Sequence, residues 1–394
     1  MKRNVQCPVS NDQCPGRHAP RKQRALFRHS LQNWKLTILY WLLLLPAALF
    51  SESSTLVLKN ANSTEFQNVN GEWVAFYKGN VTWVYEDVTI RSEFAKFWRN
   101  EGRVEFTKNV QVNRTKQRLT CDRMTYIKQN SMLVGQSNIH FNDSLERVII
   151  TGNRCQYNLK TRLCILEENP KVVRYDTAAA ETLVIVARQL MYDDSIKLVT
   201  AKDSVTITKG ALLSKSQFAY YFTKKDIALL RKTPRITYDR QKLNGDSVNL
   251  YFKDDTLDGM AVVGHGNGVY REFGKKDTSK TTVIGDSIYM AFTDTGSLDS
   301  AWVCNNVVST YNLARDSLSP NQVSGKTMIL AFGDESQVKT AKLWGNATST
   351  YFIEDKDGTS RNDASGDTLS VWFEDGKATR LRLSGSVRGK YCPQ

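Results

Sequence analysis

The body of this chain is almost free of proline and histidine. Between residues 51 and 392 only Pro170, Pro234 and Pro320 occur. Proline cannot donate to a ladder, so its scarcity suits uninterrupted sheet. Only His140 and His265 fall in the same stretch, neither at a metal-ligand spacing nor beside a nucleophile motif. No Cys-x-x-Cys pair offers a zinc site. Paired carboxylates such as Asp254 and Asp255 sit in turn sequence and read as solvated rather than as an acid–base pair. No segment of the body sustains a helical period, and no basic stripe interleaves with aromatics, which argues against nucleic acid. The chain therefore reads as a non-enzyme without metal or cofactor.

What is present is a repeat. Gly245–Phe252, Gly285–Phe292, Gly325–Phe332 and Gly366–Phe373 are near copies of one short strand. Their first apolar residues, Val248, Ile288, Met328 and Leu369, are 40, 40 and 41 residues apart. Upstream, Phe218, Leu190, Cys155, Met124 and Phe94 take the same marker position at steps of 28 to 35 residues. Two residues after the marker come Tyr126, Tyr157, Tyr192 and Tyr220 in the early copies, then Leu250, Met290, Leu330 and Val371. Four after it come Phe252, Phe292, Phe332 and Phe373. Marker, second and fourth positions share one face of a strand, because side chains alternate with period two. That face is consistently apolar and the other is mixed, the pattern of a sheet covered on one side. A fixed period with strand-like content means stacked β structure.

Each marker strand runs into a Gly/Asp-rich turn and a second strand, and many second strands end in a small polar pair such as Asn305-Asn306 or Gly345-Asn346, read as connections. Nine such hairpin units predict roughly 18 antiparallel strands. Three- to seven-residue turns favour hairpins over parallel coils. The repeated Gly-Asp at 245–246, 285–286 and 366–367 reads as a turn entering each strand, not as a calcium repeat; Lys326 replaces the Asp in one copy.

The net charge is +14, and residues 1–50 hold eight Lys/Arg against one Asp, so half of it lies there. Leu36–Phe50 is an apolar run behind a basic stretch, short for a membrane span and interrupted by Pro46. It reads as an export signal, cleaved after Ser51 or Ser53, or retained as an inner-membrane tether. Either way the body is expected outside the cytoplasm. Three segments follow: 1–53, a basic tail with signal or anchor; 54–240, the first half of the repeat body; and 241–392, its continuation with the longer period. Cys155 and Cys164 flank the turn 158–161. If that hairpin is symmetric about Leu159 and Lys160 they sit opposite each other, and an oxidising compartment allows a disulfide; the other reading is two small buried apolar side chains.

The unit resembles that of the OstA-like lipopolysaccharide-transport periplasmic proteins. The matching stretches are Cys121–Tyr126, Gly152–Tyr157 and Gly79-Asn80-Val81. The resemblance implies an elongated, open V-shaped antiparallel β-jelly roll whose apolar interior shields the acyl chains of lipopolysaccharide between two membranes. Its expected partners are lipopolysaccharide (lipid A), other jelly rolls of the bridge, and further copies joined end to end. The lipid-binding face would be Met124, Tyr126, Tyr157, Leu190, Tyr192, Phe218, Tyr220, Val248, Leu250, Phe252, Ile288, Met290, Phe292, Met328, Leu330, Phe332, Leu369, Val371 and Phe373. Two other readings use the same pattern. A secreted β-solenoid surface or adhesin protein would pack the columns as a closed core, and a β-helical polysaccharide enzyme would need a carboxylate or His cluster, which is not found.

Overall fold

The computed structural model describes residues 55–175, 182–254, 256–273, 278–313, 321–333, 336–355, 358–374 and 377–392. The apolar run at 36–50 and its flanks lie outside them. Among the described residues no helix is long and apolar enough to cross a membrane. Leu56–Gln394 is one compact unit, all β. Among the described residues 26 strands form a single hydrogen-bonded sheet in which every described pair is antiparallel. Strands are more numerous than the expected hairpin pairs because several are interrupted midway, at Glu168–Pro170 and Lys232–Pro234 for example.

The sheet is folded lengthwise into two walls. Strands such as Glu72–Tyr85, Leu298–Leu313 and Val338–Asp355 run along the first wall, bend, and continue along the second. The bend is a pair of consecutive left-handed residues: Gly79-Asn80, Lys108-Asn109, Ser137-Asn138, Glu168-Asn169, Asp203-Ser204, Lys232-Thr233, Gly264-His265, Asn305-Asn306, Gly345-Asn346 and Gly385-Ser386. Each pair coincides with a register shift or a break between strands, for instance between Cys304 and Val307. The small polar pairs expected as connections are therefore corners inside strands. Residues that tolerate positive φ are needed there, which is why Asn, Gly, Asp and Ser recur.

The Gly-Asp pairs lie where the neighbouring strand crosses the same corner on its way back. Asp286 accepts a hydrogen bond from Asn306 Nδ2 at 3.1 Å, Asp122 accepts one from Asn138 Nδ2 at 2.7 Å, and Asp246 contacts His265 Nδ1 at 2.8 Å. These acids pin the corner, which accounts for their repetition. Among the described residues no group of three or more His, Cys, Asp or Glu could hold a metal ion.

Between corners the first wall keeps two cross-strand rows in register, and irregularities fall beyond them, at Tyr251/Phe252, Ala291/Phe292, Ala331/Phe332 and Trp372/Phe373. One cross-strand row passes through Met124, Gly135, Cys155, Leu166, Leu190, Ala201, Ala219, Leu230 and Val248. It continues through Val262, Ile288, Val303, Met328, Leu343, Leu369 and Leu383. The expected markers lie on it except Phe218 and Phe94, whose places are taken by Ala219 and Ala95. A second row two residues further on holds Tyr126, Tyr157, Tyr192, Tyr221, Leu250, Met290, Leu330 and Val371. Neither row breaks near residue 240.

The corner predicts a sharp contrast between two glycines. Gly264 has φ +77, and a Cβ there would lie 2.3 Å from Asp246 Oδ2, whereas a Cβ on Gly268 meets nothing nearer than 3.6 Å. Gly264→Ala should lower unfolding free energy by about 1–3 kcal/mol. Gly268→Ala should leave it within about 1 kcal/mol. Urea unfolding of both variants checks this.

Candidate functional site

The two walls enclose one continuous apolar core that runs from Ala75 to Val371. It is filled differently along its length. In the first half the second row of the marker wall is tyrosine, and aromatic edges interlock there: Tyr77 with Trp83 at 5.6 Å, Trp83 with Phe106 at 6.3 Å, Phe141 with Tyr192 at 5.7 Å between centroids. In the second half the row is Leu250, Met290, Leu330 and Val371. Shorter aliphatic side chains reach less far across the interior.

The second wall also grows. Its arms are four residues long at Arg235–Tyr238 and Gln241–Asn244. They lengthen to Gly266–Phe273 and Val307–Leu313 further on. The change of period from about 30 to 40 residues is thus spent on the second wall, while the marker wall keeps its register.

Deeper walls and shorter side chains leave a cavity of about 300 Å³ lined between Gln241 and Leu381. That is the lower end of the range for ligand pockets. Ile288, Met290, Met328, Leu330, Phe332, Val371 and Phe373 line it from the marker wall. Val248, Leu250, Phe252, Phe292 and Leu369 are buried in the same wall without lining it. Met124, Tyr126, Tyr157, Leu190 and Tyr192 are buried in the filled first half. Phe218 and Tyr220 are on the wrong face: Ala219 and Tyr221 point inward and are 1% exposed, while Lys232 lies over the Phe218 ring at 4.6 Å. A one-residue slip in reading the strand moves every side chain to the opposite face. The run Phe218-Ala-Tyr-Tyr-Phe222 has bulky residues in both phases, so hydrophobicity alone chose the wrong one.

The facing wall was not foreseen. Its inner row is Leu243, Gly268, Val283, Ser309, Val323 and Ser349. Its outer row is Gln241, Tyr270, Thr281, Tyr311 and Asn321, and all of these line the cavity. The signal was the period-two pattern of Val307, Ser309 and Tyr311, which mixes polar and apolar residues. The cavity is therefore amphipathic: a mainly apolar floor opposite a wall carrying hydroxyl and amide groups.

The rims of the two walls are bridged. In the first half the bridge is ionic. Asp143 accepts hydrogen bonds from Gln117 Nε2 at 2.8 Å, Tyr192 Oη at 3.1 Å and the backbone N–H groups of Leu145 and Glu146 at 3.1 Å, and pairs with Lys197 at 3.2 Å. Arg114 donates to Tyr157 Oη at 3.3 Å, and Arg174 reaches Tyr221 Oη at 3.2 Å and pairs with Asp226. Burial alone would push the Asp143 carboxyl up, but Gln117, the Glu146 N–H and the Lys197 ammonium hold it below the usual carboxylate range. Burial would lower Lys197, yet Asp194 and Asp143 hold it above its ordinary value. In the second half tyrosines bridge the rims: Tyr238 donates to the Gly296 carbonyl and packs on Phe292 at 4.8 Å, and Tyr270 donates to the Ser336 carbonyl at 3.3 Å and packs on Phe332 at 6.5 Å.

The cysteines are not bonded as the opposed reading requires. Cys164 is paired with Tyr157 and Cys155 with Leu166, so the two lie diagonally, and both are free and buried. The hairpin is centred one residue later than expected because the chain turns through Arg162 at φ 61. A hydrogen bond with Cys155 and burial push the Cys164 thiol up, and burial pushes Cys121 up to about 12. Such thiols behave as small apolar side chains.

Residues 48–176 match a protein family described as lipopolysaccharide-assembly, LptC-related, which supports the resemblance to OstA-like lipopolysaccharide-transport proteins. No curated protein matches the chain. The matched residues end before the cavity begins at Gln241.

The rim network predicts a pH signature. Asp143 has a folded-state pKa below its unfolded one, so its contribution is present above about pH 4 and is lost as pH falls through the folded value. Lys197 is raised, so its contribution holds below about pH 10 and is lost in stronger alkali. Asp143→Ala should cost about 1–3 kcal/mol at pH 7 by leaving the Tyr192 hydroxyl and the Leu145 and Glu146 N–H groups without their acceptor, while Lys197 keeps Asp194, and should flatten the acid limb. Chemical unfolding from pH 3 to pH 8 measures both.

Proposed function

We propose that this protein is a periplasmic carrier in lipopolysaccharide transport that shelters acyl chains in the trough of its second half. One observation carries the reading: the unbroken apolar rows of the marker wall open into a cavity where Met290, Leu330 and Val371 stand in place of the tyrosines of the first half. Each methylene kept from water is worth about 0.8 kcal/mol, so a chain of about 12 carbons needs on the order of 10 kcal/mol of shelter. A continuous apolar floor supplies it without a catalytic group, and we assign the chain no reaction. The family match over residues 48–176 supports the same pathway.

The ends of the roll suit partners built the same way. The second row begins at Phe66, which is 65% exposed, and ends at Leu381, 43% exposed, so its apolar surface continues to both edges of the sheet. Docking of another jelly roll, or of a second copy, would extend the trough and pair the edge strands. We place the body in the periplasm, with residues 36–50 as its signal or inner-membrane tether. The surface-protein reading loses its main prop, since a solenoid needs parallel coils and every described pair is antiparallel.

Photocrosslinking amino acids in the living cell test the carrier. Positions Met290 and Leu330 should capture lipopolysaccharide, and positions Tyr126 and Tyr192, packed in the filled half, should not. Absence of adducts at both cavity positions, or equal labelling from outward-facing Trp302, would refute it. Met290→Trp should fill the cavity and cut capture at Leu330 severalfold while leaving the thermal midpoint unchanged or higher.

A further inference from the structure

Charge is divided along the chain as unevenly as bulk. Residues 91–242 hold 28 Lys/Arg against 15 Asp/Glu, whereas residues 243–394 hold 16 against 19. In the first half the excess gathers at the corners, on the outside of the bend. The marker-wall row beside the corners runs through Arg123, Gln136, Arg154 and Glu167, then through Gln189, Lys202, Phe218 and Arg231. Arg188 and Lys232 stand at the corners themselves. Across the bend the second wall adds Lys171, Lys215 and Arg235. Lys202 and Arg231 are half-buried and the others are exposed. Four acids share these places. Asp122 is bonded to Asn138 and Glu167 to Gln189 at 2.9 Å, and the others are Glu168 and Asp203. Among the described residues none of these cations forms an ion pair, unlike Arg114, Arg174 and Lys197 at the rim. The outward Phe218 ring instead carries Lys232 at 4.6 Å. In the second half the same row continues from Ser247 to Ser384 without a charged residue, and its corners hold Asp246, Asp286 and Asp367 against Lys326.

Like charges held side by side repel one another, so a line of unpaired cations is complementary to an anionic partner. Neighbouring strands lie about 4.8 Å apart, so the line from Arg123 to Arg231 is roughly 30–35 Å long. It follows the outside of a bend and encloses nothing, so it cannot wrap a small anion. Its partner must present many anions along its length. We propose that this basic keel docks the first half of the protein on a bilayer surface rich in anionic phospholipid. Headgroups diffuse in the plane of the bilayer and can gather beneath each cation. Every Lys or Arg brought near such a surface strengthens binding about fivefold. The apolar run at 36–50, proposed above as signal or tether, precedes this half in the chain. Retained as a tether, it would join the keel as the second of the two signals that stable anchoring takes. The keel goes beyond the carrier reading and does not depend on what the trough holds.

The test is flotation of the full chain, held in a non-ionic amphipathic polymer, with vesicles of phosphatidylcholine alone or with phosphatidylglycerol replacing about a third of it. The wild-type protein should bind the anionic vesicles about tenfold tighter or more, and added salt should erase the difference. One variant combines Arg123→Gln, Arg154→Gln, Lys215→Gln and Lys232→Gln. A second removes four exposed cations of the other half by Lys253→Gln, Lys280→Gln, Lys342→Gln and Lys390→Gln. Residues 1–50 are the same in both, so their own charge cancels from the comparison. The first variant should lose about tenfold or more in affinity for anionic vesicles, and the second should stay within about twofold of wild type. A third variant, Arg123→Lys with Arg154→Lys, keeps the charge and should bind as wild type does, which separates lost charge from lost folding. Equal loss in the two quadruple variants, no loss in the first, or no preference of the wild-type protein for anionic vesicles would overturn the keel. Binding of poly-glutamate without binding of vesicles would overturn the bilayer in favour of an acidic protein. Lipid capture at Met290 and Leu330 is read separately and stands or falls without this result.

Discussion

Everything in this molecule depends on each strand bending at the same height. The marker wall is a set of cross-strand rows, and a row survives only if no strand slips by one residue relative to its neighbours. The left-handed pairs enforce that. Each outgoing strand must leave the wall at its corner, because two consecutive positive-φ residues cannot be absorbed elsewhere in a pleated strand. The acid on the returning strand then ties the corner, as Asp286 does to Asn306 at 3.1 Å and Asp122 to Asn138 at 2.7 Å. A bulge used in this way is a register device rather than a defect.

Once the corners hold the marker wall, variation has one place to go. Units of different length share the same rows, so added residues must lengthen the second wall and its turns. That converts a change of sequence period into a change of trough depth. Replacing Tyr126, Tyr157 and Tyr192 by Leu250, Met290 and Leu330 along the same row then withdraws bulk from the interior. Two independent sequence changes meet at one place, and the cavity opens there.

Much of this was legible in residues. The one-sided apolar pattern, the antiparallel hairpins and most members of both rows follow from period-two alternation alone. The failures share a cause. Phe218 and Tyr220 were chosen because bulky residues in both phases hide the register, and only the neighbouring strands decide that Ala219 and Tyr221 face inward. Asn305-Asn306 looked like a connection because left-handed propensity is the same in a turn and in a corner. The second wall, with Ser309, Tyr311 and Gln241, was overlooked because its inward face is not uniformly apolar.

The two halves also divide the energetic burden. The cavity of about 300 Å³ leaves its lining without the close contacts that fill the first half. On its own the second half would be the less tightly packed of the two. Joined through unbroken rows to a half packed with Tyr85, Tyr126, Tyr192 and Tyr221 and locked at its rim by Asp143 and Lys197, it is held in register by that filled neighbour. Among the described residues the Asp143–Lys197 bridge lies beside the filled interior, and the Tyr238 and Tyr270 bridges lie beside the cavity. This is the arrangement expected if the first half holds the shape and the second must admit a chain between its walls.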